Sequence, residues 1–284
     1  MHDTTMEQQM TFEQQAQLLH FTRIGLKWIA GQMSFDDVTQ ILGQPLRRYE
    51  SDQTIDYTYY HEKVMLVTFS LDKLHTIHGK PRISDFRVKV EDLVHNVHTD
   101  IPLESFDSLG LHRIAHGESI DGVRTENSDF FSPNGITDPS GFYPDNYVSF
   151  GYRLPLPPDS LFDVYASFYY LGEWARPTGE SGANLNNLRV AVDLRNLVIS
   201  RHYLTPEELE QRRQAKRQKY GMMDLRTGMV CPETGMWESW TQAGPIGKAL
   251  VRAGDRFRQA RQPGAPSTDA RWMWSSEYDP NRRT

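Results

Sequence analysis

Closely spaced histidines are the residues of this chain whose type and spacing come nearest to a site of chemistry. Two histidines three or four positions apart lie on one face of a helix, where both imidazoles can bind a metal ion. The residues around them favour strands and turns instead, and on a strand a spacing of three places side chains on opposite faces. We therefore expect no metal site. The pairs are His75 with His78, His95 with His98, and His112 with His116.

Residues that could act as a catalytic nucleophile have no recognisable motif around them. The sequence Gly-Glu-Ser-Gly-Ala at 179–183 lacks the final glycine of a hydrolase nucleophile elbow, and we interpret it as a loop. His61-Glu62 lacks the second histidine of a zinc protease. The single cysteine, Cys231, has no neighbour that would activate its thiol. We expect a non-enzymatic protein without a cofactor.

Length and composition predict a folded chain of about two domains. It has 284 residues, of which 38% are apolar, 24% charged and 11% aromatic, and such a composition supports a core. No apolar run reaches the roughly 18–20 residues of a membrane helix, and the polar start of the chain does not resemble a signal peptide. We expect a cytoplasmic protein that has no membrane partner.

Charge is distributed unevenly along the chain. The net charge is −6, yet residues 1–205 carry −10 and residues 206–284 carry +4. Residues 91–163 alone hold 13 acids and three arginines, which is again a net charge of −10. A field of this sign repels nucleic acid and attracts basic surfaces. Two interpretations stay open: a solvated surface that aids solubility, and a docking surface for a basic partner.

Two helices are predicted near the start of the chain. Residues 11–31 repeat apolar side chains at helical spacing, and a glycine suits the end of that helix. Ser34 is typical of an N-cap, and acids follow it in the first turn, where the helix dipole favours them. Gly43 and Pro45 then end a second helix over residues 34–42.

The sequence next changes to the period-two pattern of strands. The connections are too short for a parallel crossover and predict an antiparallel meander. With the two helices, this meander forms a predicted unit over residues 1–100. Its strands are Thr54–Tyr60, Val64–Leu71 and Ser84–Val90.

A second sheet-bearing unit is predicted over residues 101–204, so that the fold class is α+β. Leu103–Leu109 suggests a short helix, and a long acidic loop follows over 116–146. Asp85–Val90 resembles Asn187–Val192, which indicates two related α/β units in tandem, with chance similarity as the alternative. The predicted strands are Tyr147–Leu154, Phe162–Leu171 and Leu188–Asp193.

The clearest local signal lies at residues 205–221. Thr205 can cap a helix, Pro206 suits its first turn, and Glu208 completes a capping box. Acids come first and bases last, as the helix dipole favours. The apolar face is thin, which indicates a surface or bridging helix. A basic arm for nucleic acid is the alternative, although the acidic remainder of the chain argues against a nucleic-acid partner.

Residues 226–274 form the most distinctive segment. The motif Thr-Gly-x-x-Cys-Pro-x-Thr-Gly-x-Trp is followed by a Gly-Asp turn and a Trp-rich strand. We expect a small β element with turns at Thr227-Gly228 and Thr234-Gly235. Its tryptophans predict burial against the body of this chain, a second copy or a partner. The residues that define the motif are Cys231, Pro232, Thr234, Gly235 and Trp237.

This segment resembles the tails of proteins from bacterial type VI secretion and polymorphic-toxin systems, immunity proteins among them. The resemblance implies a protein that binds a cognate secreted toxin and occludes its active site. A non-inhibitory adaptor or chaperone of the secretion system and an uncharacterised hydrolase are the alternatives. The aromatic tail and the strand edges offer self-complementary surface, which favours a homodimer.

The acidic stretch is the expected surface for such a toxin, because a nuclease presents a basic face to its substrate. Its aromatic residues would serve as anchors between the acids. The candidate partner-binding residues are Glu104, Asp107, Glu118, Asp121, Glu126, Asp129, Phe130, Phe131, Asp138, Phe142, Tyr143 and Asp145.

Overall fold

The structure is a computed structural model that divides the chain into two compact units. The first unit contains the described residues up to 114, together with 131–156 and 162–203. The second unit contains 119–124, 157–161 and 204–276, as far as they are described. The structure describes residues 7–77, 79–90, 96–114, 119–120, 123–124, 131–133, 147–157, 160–171, 193–261 and 264–276.

Helices and strands are both present in the described part of the chain, which confirms the α+β class. No helix there is long and apolar enough to cross a membrane. The helices are α1 (Phe12–Ile29), α2 (Phe35–Leu42), a 3-10 helix (Leu103–Leu109) and α3 (Pro206–Met222). The strands are β1 (Glu7–Gln9), β2 (Arg47–Glu50), β3 (Thr54–His61), β4 (Met65–Ile77), β5 (Lys80–Val90), β6 (Asn96–His98), β7 (His112–Arg113), β8 (Ser119–Ile120), β9 (Val123–Arg124), β10 (Phe131–Pro133), β11 (Tyr147–Leu154), β12 (Phe162–Leu171), β13 (Asp193–Tyr203), β14 (Gly235–Thr241), β15 (Gly244–Val251) and β16 (Arg271–Ser276).

The first unit is built on one antiparallel sheet of nine strands. Eight strands follow the order β10-β11-β12-β13-β5-β4-β3-β2, and β7 pairs with β11 beside β10. Because β13 pairs with β5, the strands of the two predicted units over 1–100 and 101–204 lie in one sheet. The structure thus groups the chain into two units where the sequence predicts three segments.

One face of this sheet carries the core of the first unit. A row of opposing residues runs from Tyr57 through Phe69 and Phe86 to Ile199. Helix α1 packs on this face, and its closest approach is at Gly25. A Cβ atom on Gly25 would lie 2.3 Å from Cδ1 of Phe86. Packing, rather than an unusual backbone angle, therefore requires glycine here.

The helices begin at or next to the predicted residues, and most of them end close to the predicted positions. Thr11, Ser34 and Thr205 each cap a helix through a capping box, and the bounds of α2 and α3 agree with prediction to within one residue. Helix α1 ends earlier than predicted, at Ile29. Nε of Arg201 donates to the Ile29 carbonyl oxygen at 2.7 Å and so satisfies the end of that helix.

Most strands fall where the period-two pattern predicts them, and β11 and β12 have the predicted bounds. Strand β13 is not predicted by this pattern. A register shift opposite Tyr169 and Tyr170 leaves Arg195 as an extra residue, so the buried Leu194 and Leu197 stand three positions apart. The bulge hides the strand from a search for strict alternation.

The proposed tandem repeat falls largely outside the described residues. Of the predicted strand at 188–193 only Asp193 is described, as the first residue of β13. The matching segment Asn187–Val192 is not described. The short helix predicted at Leu103–Leu109 is present as a 3-10 helix with the same bounds.

The second unit has its own core beside a three-stranded antiparallel sheet of order β15-β14-β16. Trp237, Trp272 and Trp274 are buried there with Tyr220 and Phe257. The sequence leaves open whether the tryptophans are buried against this chain, a second copy or a partner. These three are buried in the core of their own unit. The indole is large and apolar, so the three rings supply much of the apolar area of this small core.

Candidate functional site

The structure describes a small part of the predicted acidic surface. Glu104 and Asp107 lie exposed on the 3-10 helix. Phe131 lies in β10 opposite Phe150 of β11. The other predicted partner-binding residues lie outside the described residues, namely Glu118, Asp121, Glu126, Asp129, Phe130, Asp138, Phe142, Tyr143 and Asp145.

Glu104 and Asp107 act electrostatically on a buried tyrosine of the neighbouring sheet. Burial raises the pKa of Tyr152 to about 12, Arg113 opposes this increase, and the two acids add to it. The pKa of Tyr170 is also raised, mainly by burial. The exposed acids thus lie over a region in which charge is strongly disfavoured.

The tail motif holds a turn together in the second unit. Sγ of Cys231 donates to the carbonyl oxygen of Glu233 at 3.0 Å, and Nε1 of Trp237 donates to the same oxygen at 3.1 Å. Oγ1 of Thr234 accepts from the backbone N–H of Ala253 at 2.9 Å. Burial raises the pKa of the Cys231 thiol, which disfavours the reactive thiolate.

One of the two turns predicted in the motif is wrong. The chain turns at Thr227-Gly228, where Gly228 has a φ of 88°. Gly235, by contrast, is the first residue of β14. A Cβ atom there would lie 3.0 Å from Nε1 of Trp274, so a larger residue would have to displace the tryptophan slightly.

Glu233, at a variable position of the motif, joins it to helix α3. Nζ of Lys216 lies 2.9 Å from its carboxylate, and the Tyr220 hydroxyl donates to the same group. Lys216 is buried and also lies 5.4 Å from the ring centroid of Trp274. The sequence indicates this cluster through the spacing of four between Lys216 and Tyr220, which places both side chains on one face of the helix.

The face of the nine-stranded sheet that lies opposite the core, here called the open face, forms a groove of about 550 Å³ among the described residues. The sequence did not predict this groove. Its residues alternate along each strand with those of the core row, so they lie on the opposite face of the sheet. One row across four strands consists of Arg47, Thr58, Thr68 and Arg87, each opposite the next. The two arginines thus bracket two threonines.

A second row lies two residues further along the same strands. It consists of Tyr49, Asp56, Ser70 and Asp85. Asp85 is buried, and its carboxylate accepts hydrogen bonds from Ser84 Oγ at 2.7 Å and from Arg87 Nε at 2.6 Å. The groove therefore has a basic row and an acidic row side by side, and the Arg87–Asp85 ion pair joins the two rows at β5.

Most polar residues of the groove lie at outward positions of predicted strands, but Arg47, Tyr49 and Asn196 lie in β2 and β13, which the sequence did not predict. The groove itself depends on which strands are neighbours. Pairing of β5 with β13 brings Asn196 beside Lys89 at one edge of it. This contact joins positions more than one hundred residues apart and has no local signal.

Two of the described histidines, His75 and His98, contact carboxylates through Nδ1. Nδ1 of His98 lies 2.6 Å from Oδ2 of Asp193, and the backbone N–H of Thr99 donates to the other oxygen at 2.9 Å. These bonds tie β6 to the start of β13. Nδ1 of His75 lies 2.8 Å from Asp72. One histidine of each predicted pair lies outside the described residues, namely His78, His95 and His116.

Within the described ranges, no three His, Cys, Asp or Glu side chains come together as metal ligands would. Comparison of the chain with protein-family models, with curated proteins and with solved structures found no match in any of the three.

Proposed function

We propose that this chain is an immunity protein of a bacterial type VI secretion or polymorphic-toxin system and that it acts in the cytoplasm. It binds a cognate secreted toxin, such as a nuclease, and occludes the toxin's active site. It carries out no reaction of its own. The tail motif at residues 226–274 supplies the class, through its resemblance to tails in such systems.

The open face of the nine-stranded sheet is the observation that carries this proposal. Its counterpart face is covered by α1 and the core, whereas the groove offers polar side chains from β2, β3, β4, β5 and β13. A sheet holds the backbone beneath such side chains at fixed spacing, so no backbone ordering is needed when a partner binds them. Such an array suits recognition of another protein.

Exposed acids on the 3-10 helix support a toxin with a basic face. Glu104 and Asp107 belong to the stretch of 91–163 that carries a net charge of −10. A negative field of this size accelerates the encounter with a basic surface. The substrate-binding face of a nuclease has the required sign, because it must attract phosphates.

Affinity capture followed by a toxicity assay tests the proposed function. The tagged chain is expressed in its native bacterium, the bound proteins are identified by mass spectrometry, and the partner is then expressed alone and with the chain. We expect a single stoichiometric partner that stops growth alone and is harmless in the presence of the chain.

Two other outcomes would replace the proposal. A partner that is harmless by itself, such as a component of the secretion apparatus, would identify the chain as an adaptor. Absence of any partner, combined with loss of a cellular phenotype in folded His98→Ala or Cys231→Ala variants, would identify it as an enzyme.

A further inference from the structure

We infer that the groove on the open sheet face binds an extended protein segment that presents a carboxylate at one end and a basic group at the other. This inference deepens the proposed function by naming what the toxin offers to the groove. It rests on that function only for the identity of the partner.

The basic row is built to accept a carboxylate. Neighbouring strands lie about 4.8 Å apart, so Arg47 and Arg87 flank a gap of roughly 14 Å that contains Thr58 and Thr68. A carboxylate above the threonines would accept hydrogen bonds from both hydroxyls and from a guanidinium. Arginine binds carboxylates in a bidentate manner, which adds directional specificity.

A third cation lies at the same end of the groove. Lys89 follows Arg87 by two residues on β5 and therefore points to the same face, next to Leu66 of β4. Arg47 also lies 5.6 Å from the ring centroid of Tyr49, a contact that holds the side chain over the groove.

The acidic row excludes a ligand of uniform negative charge. Asp56 and Asp85 lie two residues from the basic row along their strands, a distance of about 7 Å. Nucleic acid carries a negative charge at each phosphate and would place one of them against these carboxylates. An extended peptide with opposite charges at positions i and i+2 has the same 7 Å spacing, and it satisfies both rows.

Binding of synthetic peptides tests the inference directly. The probe is a fluorescein-labelled peptide with a run of glutamates followed by a run of lysines, and an all-lysine peptide of equal length is its comparison. Fluorescence anisotropy at low salt measures both. We expect the mixed peptide to bind the wild-type chain with a Kd below about 1 mM and more tightly than the all-lysine peptide.

Two double variants, each lacking two arginines, distinguish binding in the groove from attraction by the charge of the whole protein. Arg47→Ser with Arg87→Ser should weaken the mixed peptide by about fivefold or more. Arg23→Ser with Arg48→Ser removes the same charge outside the groove, because Arg23 is exposed on α1 and Arg48 bonds to Glu50. This control should change the Kd by less than about twofold.

The groove proposal is overturned if the wild-type chain fails to bind the mixed peptide, or if the control variant loses as much affinity as the groove variant. These results do not depend on any toxin. If capture yields a toxin that the groove variant still neutralises, the groove is likewise not the docking surface, while the immunity function stands. If capture yields no toxin but the peptide results hold, the immunity function fails and the groove proposal stands.

Discussion

At the residue scale, alanine should have opposite effects on stability at two helical glycines, because one is tightly packed and the other is not. Gly25→Ala would force a methyl group into the ring of Phe86, and overpacking of this kind costs about 1–3 kcal/mol of unfolding free energy. Gly221 near the end of α3 has a nearest neighbour at 3.9 Å, so Gly221→Ala should stabilise by about 0.5–1 kcal/mol. Urea unfolding of both variants checks the pair, and equal changes would refute the packing argument.

The buried ion pair of the second unit should be far more costly to break than an exposed one. The Lys216 and Glu233 side chains are 4% and 17% exposed. Glu233→Ala removes a carboxylate that contacts both the buried ammonium group and the Tyr220 hydroxyl, so we expect a loss of about 3–5 kcal/mol. Glu210→Ala breaks the exposed pair with Arg213 on the same helix and should cost less than about 1 kcal/mol.

Chemical denaturation reports both of these costs. A loss in Glu233→Ala no larger than in Glu210→Ala would show that Glu233 does not anchor the motif to α3. In that case the tail would derive its stability from its tryptophans alone.

Ionisation of the buried Tyr152 should lower the unfolding free energy of the first unit at high pH. Burial raises its pKa to about 12, above the ordinary value near 10. The folded state therefore holds the proton more tightly, and the resulting stability is complete below pH 10 and is lost as the pH rises towards 12. We expect Tyr152→Phe to reduce the loss of unfolding free energy between pH 9.5 and pH 11.5 by roughly 1–2 kcal/mol. Identical pH slopes in the two proteins would contradict this assignment.

At the element scale, the helices and the antiparallel meander of β3, β4 and β5 were predictable, whereas the pairing of distant strands was not. A helix end depends on residues within one turn, so Ser34 and Thr205 identify α2 and α3 from the sequence alone. A strand order depends on partners far along the chain. The pairing of β5 with β13, and with it the groove, therefore could not be derived from local patterns.

The end of α1 illustrates an element that is completed by a distant residue. Arg201 of β13 donates to the carbonyl oxygen of Ile29 and packs 3.9 Å from the ring centroid of Phe162. Arg201→Met keeps the aliphatic stem but removes the donors, and we expect a cost of about 1.5–3 kcal/mol. Arg82→Met, which loses a stacking contact with Tyr203, should cost less than about 1 kcal/mol. Thermal unfolding compares them, and equal costs would show that the helix end does not depend on Arg201.

At the scale of the whole molecule, the proposed function assigns separate tasks to different parts of the chain. Under this proposal the acidic stretch over 91–163 would attract a basic partner from a distance, and the groove of the first unit would recognise it at contact. The second unit places the tail motif around its own tryptophan core. A homodimer stays a prediction.

Inhibition of the captured toxin by the purified chain tests the central claim most directly. The activity of a fixed amount of toxin is measured while the chain is added in increasing amounts. An immunity protein that occludes the active site should reduce this activity linearly to zero near one chain per toxin. Full toxin activity at about a tenfold excess of the chain would contradict the proposed function. Progressive inactivation by far less than one equivalent would contradict it as well, because that behaviour belongs to a catalyst.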